Sequence, residues 1–74
     1  MVFETLSNLL CDHYACKRED ITMASLLDDL NLTNDERTDI AVLLQEQYGV
    51  EIPGVELAVF STVEDLVGYI EDRL

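Results

Sequence analysis

Positive charge is what this 74-residue sequence has least of: four Lys and Arg stand against 16 Asp and Glu, for a formal net charge of −12. A field of that sign repels phosphate backbones and anionic head groups, which argues against nucleic acid and membrane partners and favours a basic patch on another protein. Long apolar runs are missing too. The longest, Ile40 to Leu44, is far too short to cross a bilayer. The opening Met1-Val2-Phe3-Glu4 lacks the basic stretch of a signal peptide, so a cytoplasmic chain is expected. Cysteine is limited to Cys11 and Cys16, which on a helix point about 140° apart. A disulfide between them is therefore not expected, and two thiols fit a reducing compartment. No repeat, low-complexity tract, linker or strand-like alternation is visible. The expectation is a single monomeric domain over residues 1–74, and a domain this short buries roughly 60% of its unfolded surface.

What is present is apolar content of 49%, normal for a globular chain, arranged with helical spacing. From Val2 to about Cys16, Val2, Leu6, Leu9, Leu10 and His13 fall on one face, with Glu4, Cys11 and Ala15 opposite. Residues 19–34 show no long periodicity, yet Ile21, Leu26, Leu27, Leu30 and Leu32 predict a packed loop, in which Thr22 or Ser25 can start a helical turn. Thr33-x-x-Glu36 is a capping box, hydroxyl to one orphan amide and carboxylate back to another, and predicts a helix from Thr33 or Asn34. Its inner face is Ile40, Leu43, Leu44 and Tyr48; Gly49 supplies a left-handed stop, and Pro53 prevents continuation. Residues 55–60 fit either a short helix or an extended link. Ser61-x-x-Glu64 predicts the cap of a last helix that aligns Val63, Leu66, Val67, Ile70 and Leu74. Three principal helices with short connections make an all-α bundle, with Leu6, Leu10, Leu30, Ile40, Leu44, Val63, Leu66 and Ile70 in one core.

One stretch carries a resemblance. In Asp29-Leu30-Asn31, Thr33-Asn34-Asp35 and Tyr48-Gly49-Val50-Glu51-Ile52-Pro53, the chain resembles the acyl carrier protein family. There an Asp-Leu-Gly approach leads into Asp-Ser-Leu at a helix start, and an acidic helix runs out through an aromatic and Gly into a Glu-Ile-Pro turn. The spacing is kept without insertion or deletion, and Thr62-Val63, Asp65, Tyr69 and Ile70 extend the likeness to about residues 21–70. It implies a small four-helix bundle with a short third helix, and a protein that is not an enzyme.

The family's serine carries 4'-phosphopantetheine; Asn34 stands in its place, with Thr33 for the acidic residue and Asp35 for the leucine. An amide nitrogen is delocalised into its carbonyl and is no nucleophile, unlike a hydroxyl, so the expectation is a binding module with no prosthetic group. The alternative is a working carrier with its arm on Thr33, or more remotely Ser25; a third reading is an acidic stabilising or metal-buffering module. Asp35, Asp39 and Glu46 lie within about 40° of one another around the helix, with Val42 among them. By the resemblance this face docks the basic surface of a partner enzyme in a fatty-acid, polyketide or peptide pathway. His13 is expected to be half-buried and hydrogen-bonded rather than a metal ligand, because Cys11 points about 160° away from it and the spacing fits no zinc pattern. The alternation from Asp29 to Asp35 lacks the glycine and the bidentate glutamate of a calcium loop.

Overall fold

The computed structural model describes residues 2–14 and 16–74. Four α-helices, α1 (Val2–His13), α2 (Asn34–Tyr48), α3 (Gly54–Val59) and α4 (Val63–Glu71), enclose one core, with two 3-10 turns, Arg18–Asp20 and Leu27–Leu30, in the long α1–α2 connection. α1 packs on α2 and α4, and α3 lies against α2. This is the expected all-α bundle with a short third helix, and the alternative left open at residues 55–60 resolves into α3.

Both ends of α2 form as the sequence dictates. Thr33 Oγ1 accepts from Glu36 N at 3.1 Å while Glu36 Oε1 accepts from Thr33 N at 2.9 Å. At the other end Gly49 adopts φ 70°, and its amide donates to Gln45 O, in a region a Cβ makes costly. Of the eight expected core residues seven are buried, and Leu30 is half-buried against them. Leu44, Val63 and Ile70 have no exposed surface at all. Leu9, Leu43 and Tyr48 are half-buried, the last two on the edge of α2's inner face.

Several expectations are corrected. α1 ends at His13 rather than near residue 16, and Ala15 lies outside the described residues. His13 falls in the last turn of α1, with its ring 6.4 Å from that of Tyr14, and is exposed rather than half-buried. The cap of α4 is Thr62 with Asp65, not Ser61 with Glu64. The backbone explains the shift: Ser61 O accepts from Leu27 N and Thr62 bridges Leu26, so Thr62 stays extended and the helix starts one position later. α4 ends at Glu71, which takes Leu74 out of the helical register and leaves it 68% exposed.

The 14–33 connection is pinned rather than merely packed. Ile21 and Leu27 enter the core, Thr22 and Ser25 form a turn, and three backbone bonds, Leu27 N to Ser61 O, Val63 N to Ser25 O and Glu64 N to Met23 O, stitch the loop to the α3–α4 junction. Its second 3-10 turn ends on Asn31 at φ 57°, the left-handed conformation. That conformation explains why glycine or asparagine suits this position: asparagine tolerates it better than other side chains.

Candidate functional site at the start of α2

The cap fixes where α2 begins and therefore what it presents. Thr33 sits outside the first turn with its hydroxyl accepting a helical amide. Asn34 is the first helical residue and is exposed; its carbonyl accepts from Thr38 Oγ1 at 3.0 Å. Beside it runs an open groove of about 280 Å³ between α2 and α3, lined by Asn34, Arg37, Thr38, Gly54, Leu57 and Ala58. Asn34 offers this groove an amide, which hydrogen-bonds but does not attack a phosphorus centre. Covalent attachment at position 34 therefore does not fit the residue present. The Thr33 hydroxyl is one residue early and engaged in the cap. Ser25 Oγ accepts from Thr22 N and donates to Asp20 O, inside its own turn.

Asp35, Asp39, Val42 and Glu46 are all exposed along α2, with Val42 at 42%. The helix thus brings the four together as one acidic face around an apolar side chain. Their shared exposure on one side of α2 follows from helical spacing.

Arg37 is the residue that sequence reasoning missed. Its guanidinium pairs with Asp28 in the second 3-10 turn, yet its side chain is only 18% exposed. The stem lines a small apolar gap with Leu6, Leu10, Leu27, Ile40, Leu57 and Leu66, and Nε is buried with no hydrogen-bond partner among the described residues. The signal was its spacing: Arg37 precedes Ile40 by three and Leu44 by seven, on the inner stripe itself.

The thiols stand apart from this site. Both are free and half-buried, and burial first, with nearby negative charge adding to it, pushes the Cys16 thiol above its ordinary range. Among the described residues no three His, Cys, Asp or Glu side chains converge as metal ligands, and no helix is long and apolar enough to cross a membrane.

Comparison with known proteins agrees with the geometry. Residues 4–70 match the family described as "phosphopantetheine attachment site". An acyl carrier protein of Coprothermobacter proteolyticus is 36% identical over 74 residues, covering 99% of this chain and 90% of its own. One from Clostridium acetobutylicum is 31% identical over 72 residues, 96% and 94% of the two chains. A third, from Thermobifida fusca, is 40% identical over 47 residues, 64% of this chain and 60% of its own. Acyl carrier proteins are non-catalytic; they normally hold 4'-phosphopantetheine and serve partner enzymes of fatty-acid pathways. The match across the helix bundle and the likeness along nearly the whole chain place this protein in the acyl carrier protein family, and it is not an enzyme.

Proposed function

We propose that this single-domain chain is a member of the family that acts by binding and carries no arm at position 34, with Asp35, Asp39, Val42 and Glu46 docking the basic surface of a partner enzyme. The observation that carries the reading is the start of α2: an intact cap presents an amide where the chemistry needs a hydroxyl. The exposed acidic face supports the docking half. Its carboxylates attract a cationic surface over roughly a Debye length, about 10 Å at 0.1 M salt, so association should slow as salt rises.

The rival, a working carrier with phosphopantetheine on Thr33, is favoured by one fact: that hydroxyl lies at the exposed start of the helix. Intact-mass measurement separates the two, after incubation with coenzyme A, magnesium and a broad-specificity phosphopantetheinyl transferase. The native chain is expected to gain no arm, while Asn34→Ser, or Asp-Ser-Leu restored across positions 33–35, does gain one. An arm on the native chain, mapped to Thr33 or Ser25, would overturn the reading and establish the rival.

A further inference from the structure

A second surface lies on different elements. α3 carries two valines four residues apart, which places them on one side of the helix, and both face outward: Val55 is 76% and Val59 69% exposed. Single exposed apolar side chains are ordinary, but neighbouring ones that continue into a groove mark contact surfaces. Here the patch does continue. Between the end of α3 and the outer side of α4 is a shallow, wide-open groove of about 470 Å³ whose lining includes Val59, Phe60, Glu64, Tyr69, Asp72 and Arg73. The Phe60 and Tyr69 rings are 5.4 Å apart and tilted at 58°, within the contact range of aromatic pairs, and form an aromatic floor. Arg73 lies over the Tyr69 ring at 3.6 Å and donates to Tyr69 O at 3.1 Å, so the one cation lining the groove among the described residues is folded onto its floor. The rim is left to carboxylates. Glu64 and Asp72 are exposed, and Asp65 is held ionised below its ordinary range by the amides of Ser61 and Thr62.

We propose that this α3–α4 face is a second docking surface, and that its occupant is an amphipathic segment of another protein in which aliphatic or aromatic anchors alternate with lysine or arginine. The valines and the aromatic floor take the anchors; Glu64, Asp65 and Asp72 take the cations. Charge selects this occupant over the others. A second copy of the chain brings another net charge of −12 to the contact, and an anionic lipid surface is repelled for the same reason. The surface shares no residue with the acidic face of α2, and its use does not depend on what position 34 carries.

The test uses the ¹⁵N-labelled chain and, as probe, a synthetic helical peptide of leucine and lysine with every leucine on one face. A control peptide keeps the lysines and replaces leucine by serine. The leucine peptide is expected to shift the amides of Val55, Val59, Tyr69 and Arg73, and the control to bind far more weakly. Val55→Ser with Val59→Ser should weaken binding by about tenfold or more, because two apolar contacts are lost. Since both side chains are exposed, the fold should persist, as an unchanged thermal midpoint would verify. Asp39→Lys with Glu46→Lys should leave the pattern of shifts in place, which separates this surface from the one proposed on α2. Shifts confined to α2, equal binding of the serine control, or undiminished affinity of the valine variant would overturn the proposal. So would sedimentation showing that the chain pairs with itself through these valines.

Discussion

Replacing Arg37 by methionine should make this protein more stable, although it removes an ion pair. Arg37 holds Asp28 with one end of its guanidinium and buries Nε at the other without a partner among the described residues. An unsatisfied buried donor costs about 1–3 kcal/mol. The pair offsets little of that: Asp28 is 90% exposed, and ion pairs open to water contribute about 0–1 kcal/mol. Methionine has similar helix propensity and a flexible stem, so it keeps the packing against Leu10, Leu27, Ile40 and Leu57. It strands no charge, because Asp28 is already solvated. The expected net gain is about 1–2 kcal/mol, and each 1 kcal/mol raises the midpoint of a domain this size by about 4–8 °C. Urea and thermal unfolding followed by circular dichroism would measure it, with Asp28→Asn as the companion variant, expected within about 0.5 kcal/mol of the native chain. A loss of 1 kcal/mol or more in Arg37→Met would refute the reasoning. It would mean that the contact to Asp28, and not the orphaned nitrogen, decides the stability of this corner.

Asn31→Ala should lose about 1 kcal/mol, because alanine resists the left-handed conformation, whereas Asn31→Gly should be neutral or stabilising; chemical denaturation distinguishes the two, and equal losses would show that the asparagine side chain matters more than its backbone. Asp65 has a folded-state pKa below its ordinary value, chiefly because the amides of Ser61 and Thr62 bond its carboxylate. Its contribution is therefore fully present above the unfolded value, about 3.9, and is lost as pH falls through the lower folded value. Asp65→Asn should accordingly melt earlier than the native chain at neutral pH and converge with it in strong acid; a gap that persists there would assign the effect to shape rather than charge.

Much of the molecule was legible because its signals are local. Thr33 and Glu36, Gly49 and the apolar spacing of α2 each act over a few residues, so the sequence contains everything needed to place that helix and its outer face. What was missed depends on neighbours distant in sequence. Ser61/Glu64 fits the capping-box pattern by residue type, yet Thr62 with Asp65 forms the cap, because Ser61 and Thr62 are engaged by the 25–27 segment. His13 satisfies the periodicity of α1 but lies in its last turn, where among the described residues it stays exposed. Arg37 occupies an inner position because a long apolar stem can pack while the charge reaches the edge, which a two-letter apolar/polar pattern does not represent. α3 is too short for periodicity to decide, and its Leu57, with Phe60 just after it, packs against the core assembled from the other helices.

The backbone bonds that join the 23–27 segment to the α3–α4 junction link residues about half the chain apart, whereas the cap of α2 links residues three apart. The two therefore belong to different stages of folding. A contact within one turn costs little chain entropy and can flicker in the unfolded state, but one that closes a long loop gains from its bonds only after the intervening helices have condensed. The approach to α2, from Asp28 to Leu32, is consequently set in place by the assembled bundle and not by its own sequence. A peptide cut out around Thr33 would keep its cap and lose its setting.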